Sequence, residues 1–160
     1  MMPDDTRIEN IINLYGDLLY RTGIMILGNP QDVQDVLQEV MLKVLQKMPE
    51  FHDSEHEKAW LLRVTINLCK DMLRFRFRHQ YIQIDELEIE AVETDDRRLL
   101  QEIIQLPPRW RIVLLLHYVE GYSLKEIADI LSVSENAVKK RMQRAKKALR
   151  AKLEEGGIRI

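Results

Sequence analysis

From Val33 to Met48 the apolar residues fall at Val33, Val36, Leu37, Val40, Met41, Val44, Leu45 and Met48. Steps of three and four sustained over four turns are the period of an α-helix with a wide apolar stripe, and the wrong period for a strand. Asn29 supplies an N-cap and Pro30 the first helical position, while Pro49 closes the segment. The same period runs through Ile8, Ile11, Ile12, Tyr15, Leu18 and Leu19, the expected inner face of a preceding helix ended by Gly28. A long helical stretch follows from about Glu55 to His79. Residues 97–106 read as a short helix ending at Leu106-Pro107-Pro108. An apolar helix then runs from Pro108 through Val119, and Gly121 stops it. The expected fold is all-α.

Between the helical halves, Tyr81 to Asp96 is acidic and weakly periodic, with Ile82, Ile84, Leu87 and Ile89. It reads as a flexible acidic linker. Two small helical domains are therefore expected, residues 1–80 and 97–160, joined by 81–96. Domains of this size bury only about 60% of their unfolded surface, so each depends on efficient helix packing.

The single cysteine, Cys69, excludes a disulfide framework and a cysteine-rich zinc site. No apolar run approaches the ~18–20 residues that span a bilayer. The acidic start MMPDDTRIEN is not the pattern of a secretory signal, so a cytoplasmic protein is expected. An enzyme would show clustered carboxylates or a nucleophile with a base. Asp95-Asp96 lies in the linker, and His52, His56, His79 and His117 are scattered. Cys69 reads as a small buried hydrophobe. No catalysis, metal or cofactor is expected.

The net charge of −2 conceals four alternating blocks. Residues 1–57, 58–79, 80–105 and 106–160 carry balances of −7, +5, −6 and +6. Asn136 to Leu153 is the most concentrated, with Lys139, Lys140, Arg141, Arg144, Lys146, Lys147, Arg150 and Lys152 and no acid. Such a block is either a solvated helix face or the footprint of a polyanion-binding one.

Its neighbourhood favours the second. Ser123-Leu124-Lys125-Glu126 is a capping box. The helix it opens carries Leu124, Ile127, Ala128, Ile130 and Leu131. Ser132-Val133-Ser134 breaks it, with Val133 as an apolar plug. Ser134 caps a second helix with Val138, Met142, Ala145, Leu149 and Leu153 on one face. A short helix, a three-residue turn and a longer helix make a helix-turn-helix, whose second helix enters the major groove. Glu135, Asn136, Lys139 and Lys140 occupy its first turns, where base edges would be met. Arg144, Lys147 and Arg150 could reach phosphate.

Residues 58–81 read KAWLLRVTINLCKDMLRFRFRHQY. Basic residues alternate with rings near the end. Cations follow a phosphate backbone and exposed rings stack unpaired bases, although Trp60, Phe75 and Phe77, taken singly, are expected in the core. Asn67 interrupts an apolar stretch, where an amide must find a partner or face outward; an outward amide can read a base edge.

Three segments in this order are specific: LGNPQDVQDVLQEVMLKVLQKM, KAWLLRVTINLCKDMLRFRFR, and LPPRWRIVLLLHYVEGYSLKEIADILSVSENAVKKRMQRAKKALRAKL. Together they cover nearly the whole chain, which closely resembles the extracytoplasmic-function (group 4) sigma factors of the sigma-70 family. The resemblance implies a sigma-2-like helical bundle and a sigma-4 helix-turn-helix domain. It implies a protein that binds core RNA polymerase and directs initiation at promoters with −10 and −35 elements. The helix from Asp32 to Met48 matches the segment that meets the β′ clamp helices, with Asp32, Asp35, Gln38, Glu39 and Lys43 as its polar positions. The segment from Trp60 to Arg78 matches the reader of the −10 element. There Asn67 falls in a loop that captures an extruded base, and Arg63, Lys70, Arg74 and Arg76 hold the backbone. That loop would divide the long helix near Asn67. In the helix-turn-helix, Lys139 and Arg144 match −35 contacts, flanked by Lys140 and Arg141, with Glu135 and Asn136 opening the helix. Met41 and Leu45 stand where the family often has aromatic residues, and Lys139 where it often has arginine. The implied partners are core polymerase (β′ clamp helices and β flap), promoter DNA and an anti-sigma factor. The alternative is a stand-alone helix-turn-helix regulator.

Overall fold

The structure, a computed structural model, describes residues 3–47, 49–78, 99 and 101–155. The chain divides into two compact units, Met1–Ile84 and Asp85–Ile160. The linker proposed at 81–96 lies outside the described residues.

The first unit packs three helices: α1 (Pro3–Leu27), α2 (Pro30–Lys47) and α3 (Ser54–Arg78). Gly28 leaves α1 with φ +70°, a left-handed conformation that costs glycine little. One residue later Asn29 caps α2. Its Oδ1 accepts from the amides of Gln31 (2.9 Å) and Asp32 (3.3 Å), satisfying two of the orphan donors of the first turn. Asp53 does the same for α3, accepting from the His56 amide at 2.8 Å. The core is Ile11, Tyr15, Leu18, Leu19 and Ile26 of α1, Val33, Val36, Val40 and Val44 of α2, and Leu61, Leu62, Ile66 and Cys69 of α3. Two buried threonines satisfy themselves: Thr22 and Thr65 donate to the carbonyls of Leu18 and Leu61, each at 2.8 Å. Arg7 ties α1 to the α2–α3 connection, donating to the Pro49 carbonyl and stacking over Phe51. Phe51 in turn packs on Trp60 with ring centroids 5.6 Å apart.

Not every periodic apolar residue is inside. Ile12 is 50% exposed and Leu45 38%. The α1 stripe is narrower than its spacing implies, because α2 and α3 cover only one side of it.

The second unit begins with helical residues 101–104, followed by α4 (Pro108–Leu114), α5 (Leu124–Leu131) and α6 (Glu135–Glu155). Pro107 and Pro108 start α4 at the N-cap and N1 positions. The buried Arg111 binds the Ile104 carbonyl at 2.8 Å and so anchors the preceding helical turn. Desolvation lowers its pKa to about 10, so it keeps its charge at neutral pH. α4 does not run on as an α-helix to Val119. Residues Leu115–Val119 form a π-helical turn, with Glu120 N–H bonded to the Leu115 carbonyl at 3.1 Å. The wider turn leaves Tyr118 and Val119 exposed. Spacing cannot reveal such a turn, since it adds one residue without changing the composition. His117 Nδ1 lies 2.8 Å from the Tyr122 carbonyl. A carbonyl only accepts, so this nitrogen carries the proton.

Candidate functional surfaces

The helix-turn-helix forms as its sequence implies. Ser123 Oγ accepts from the Glu126 amide at 3.1 Å, and Glu126 Oε1 accepts from the Ser123 amide at 3.2 Å. α5 ends with Ser132 in the left-handed region, φ 56°. Val133 N–H bonds the Ala128 carbonyl at 3.0 Å and Ser132 N–H that of Asp129 at 3.4 Å, the paired bonds of a Schellman stop. Ser134 then caps α6, accepting from the Ala137 amide at 3.1 Å. Val138, Met142, Ala145, Leu149 and Leu153 are all buried. Val133 is only half-buried, so it covers the turn rather than plugging it.

This geometry fixes which α6 residues face outward. Glu135, Asn136, Lys139, Lys140 and Arg144 are exposed, and Arg141 is half-buried. At about 100° per residue, Asn136, Lys140, Arg144 and Lys147 form one row opposite the buried stripe. Lys139 and Arg141 lie on its two flanks. Lys139 stands 3.8 Å from Glu135, an exposed pair worth little and easily exchanged for phosphate.

In the first unit α3 is unbroken from Ser54 to Arg78. The loop implied near Asn67 is absent. The stretch has no glycine or proline, and Leu61, Leu62, Thr65, Ile66 and Cys69 bury one continuous stripe through that point. Asn67 itself is exposed, so its amide meets solvent. Arg63, Asn67, Lys70 and Arg74 step by four, three and four and fall within about 60° of arc. Arg63 and Arg74 are exposed and Lys70 half-buried. Arg74 lies 3.4 Å from Asp71, both side chains about two-thirds exposed. Arg76 belongs to the last turn of α3, and its side chain lies outside the described residues.

On α2, Asp35, Gln38 and Glu39 are exposed, and Asp32 and Lys43 half-buried. Asp32, Asp35, Glu39 and Lys43 make a row along the helix, with Gln38 beside it. A cleft of about 450 Å³ separates this row from α3, lined by Asp35, Val36, Gln38, Glu39, Leu68, Met72 and Phe75. The sequence pattern left this feature unseen. Phe75 is 63% exposed, not a core side chain.

Burial pushes the Cys69 thiol up to about 12, which makes it a poor nucleophile. Among the described residues no group of three or more histidine, cysteine or carboxylate side chains is placed to hold a metal. No described helix is long and apolar enough to cross a membrane.

Residues 11–78 match the family described as Sigma-70 region 2, and residues 96–149 match Sigma-70, region 4. The ECF RNA polymerase sigma factor SigL of Mycobacterium tuberculosis (strain H37Rv) is 31% identical over 151 residues, covering 88% of this chain and 85% of that one. The ECF RNA polymerase sigma factor SigW of Bacillus subtilis is 26% identical over 169 residues, covering 94% and 90%. Among solved structures, the sigma factor RpoE of Bartonella quintana, in complex with the anti-sigma factor NepR, shares the fold. Its TM-score is 0.70 at 21% identity, over 92% of this chain and 97% of that one. The two matched regions coincide with the two helical units, in the same order, and place this chain in the sigma-70 family, among its extracytoplasmic-function RNA polymerase sigma factors.

Proposed function

We propose that the two units divide the work of promoter recognition between three surfaces. The protein is an alternative sigma factor, which binds core RNA polymerase and directs promoter-specific initiation. Residues 1–80 form the part that docks on polymerase and reads the −10 element; residues 97–160 read the −35 element. The α2 row of Asp32, Asp35, Gln38, Glu39 and Lys43 meets the β′ clamp helices, where opposite charge speeds docking. Arg63, Lys70, Arg74 and Arg76 hold the separating strands while Asn67 reads a base edge. Extruding a base costs a few kcal/mol, which these contacts offset. Glu135, Asn136, Lys139, Lys140, Arg141 and Arg144 lie at the −35 major groove. The protein does no covalent chemistry; polymerase does. It works in the cytoplasm, and an anti-sigma factor covers the same surfaces when it is held inactive.

The observation that carries this reading is the separation of faces on one small bundle. An acidic row on α2 and an amide-bearing basic row on α3 are held by a shared core. A bundle serving DNA alone has no use for the first. The test is run-off transcription with core polymerase on promoter templates. Promoter-dependent product is expected, and Asn67→Ala should impair opening at −10 with core affinity unchanged. Equal loss of both would make Asn67 structural; no product with any core enzyme would refute the reading.

A further inference from the structure

Among its lysines and arginines α6 carries two amides, Asn136 and Gln143. They stand seven residues apart, so two turns of helix return Gln143 to within about 20° of Asn136. Both are exposed, on the side opposite the buried stripe of Val138, Met142, Ala145 and Leu149. Neither amide is used by the fold. The cap of α6 is Ser134, which takes the Ala137 amide at 3.1 Å. Gln105, by contrast, is engaged, accepting from Lys152 at 3.0 Å. Among the described residues neither Asn136 nor Gln143 makes a side-chain hydrogen bond. Two free amides on the outward face of a recognition helix have their donors and acceptors available to whatever lies in the groove.

We propose that Asn136 and Gln143 are the base readers of α6, each pairing with an adenine in the major groove of the −35 element, which makes Gln143 a determinant of promoter specificity. Geometry selects the pair. A recognition helix lying in the groove presents residues i, i+3, i+4 and i+7 to base edges. Counted from Asn136, these are Lys139, Lys140 and Gln143. Arg144 lies about 80° from Asn136, on the Arg141 side, and falls to the backbone. Chemistry then divides the four. An ammonium only donates and acts as a point charge, so it is drawn to phosphate and to any acceptor in the groove. An amide sets a donor beside an acceptor, and adenine answers with N7, an acceptor, beside the N6 amine, a donor. Guanine offers two acceptors there and would leave the amide oxygen unpaired. Two turns of helix hold the amides about 10.5 Å apart along the axis, close to three base-pair steps of about 3.4 Å. The element therefore holds two adenines about three base pairs apart, on one strand or on opposite strands.

The proposal rests on the reading of the second unit as the −35 reader, and its test separates the two. Holoenzyme formed from core polymerase and the full-length protein selects duplexes from a library randomised across the −35 region. Its affinity for single-substituted members is then measured by fluorescence anisotropy. Gln143→Ala is expected to lose about tenfold in discrimination at one adenine and none at the other, where Asn136→Ala takes its effect. The slope of affinity against salt should not change, since an amide releases no counterion. Replacing that adenine by 7-deazaadenine, which lacks the N7 acceptor, should weaken the wild type and cost Gln143→Ala nothing further. Gln143→Glu should move the preference at that position to cytosine, whose N4 amine donates. Helical content by circular dichroism should be unaffected, since Gln143 is exposed. If Gln143→Ala weakens every duplex alike, or leaves every preference intact, the proposal is overturned and the −35 reading stands. If wild-type holoenzyme selects no sequence in the −35 region, both are overturned.

Discussion

Gly23 sits at a close crossing of α1 and α2, and a methyl group there tests the packing that orients α2. A Cβ built on Gly23 would lie 2.7 Å from Cγ1 of Val33, 3.3 Å from its Cγ2 and 3.5 Å from its Cβ. All three atoms belong to one β-branched side chain with no solvent exposure, whose χ1 is confined to a single helical rotamer. Val33 cannot swing away, so the helices must separate. Overpacking of this kind costs ~1–3 kcal/mol. Against it, alanine in a helix interior gains about 1 kcal/mol over glycine. Gly23→Ala should therefore destabilise by about 1 kcal/mol, lowering the melting temperature of this unit by roughly 4–8 °C.

The double-mutant cycle is the decisive form. Val33→Ala alone should cost about 2 kcal/mol, from two lost methyl groups and the space they leave. In that background the Gly23 methyl meets no clash, fills part of the space and keeps its helix preference. Gly23→Ala should then stabilise by about 1 kcal/mol, a coupling of about 2 kcal/mol. Differential scanning calorimetry follows the transition of this unit apart from the other. If Gly23→Ala raises the melting temperature equally in both backgrounds, the close crossing of α1 and α2 is refuted.

Ser132 holds a left-handed φ of 56° at the end of α5. Ser132→Gly should stabilise the helix-turn-helix by up to about 1 kcal/mol in thermal unfolding, because glycine takes this conformation without a Cβ penalty. Lys139→Ala with Arg144→Ala should weaken −35 binding and flatten its dependence on salt; an unchanged slope would remove both from the phosphate contacts. The Cys69 thiol, pushed up from 9.0 to about 12 by burial, ionises in the unfolded chain before the folded one. The folded form then holds more protons, so this contribution is intact below pH 9 and is lost as pH rises from 9 toward 12. Cys69→Ala should blunt that alkaline decline in denaturant titrations, and the native thiol should resist alkylation at pH 8.

Local chemistry was legible in the sequence because its partners are near neighbours. The caps at Asn29 and Ser134 and the box from Ser123 to Glu126 each span no more than three residues. The inner faces of α5 and α6 follow from spacing alone. What required the structure depends on residues distant in the chain. Gly23 reads as a weak point in a helix until Val33 is placed against it. Phe75 reads as core, or as a stacking ring, until Asp35 and Glu39 stand across the cleft from it. The loop implied near Asn67 is a different case. It came from likeness to relatives, and the buried stripe through Leu61, Ile66 and Cys69 in this chain keeps α3 intact.

The net charge of −2 says nothing about the partners because the charges do not act as one sum. Fields from exposed charges decay over about 8 Å at physiological salt. The α2 carboxylates and the α3 cations occupy different faces of one bundle, so each face presents its own sign to what approaches it. Across the first unit the −7 of residues 1–57 and the +5 of residues 58–79 sum to −2, so the unit as a whole presents little net repulsion to DNA. Acid on one helix and base on the next thus lets a small net charge coexist with two faces of opposite sign on one bundle.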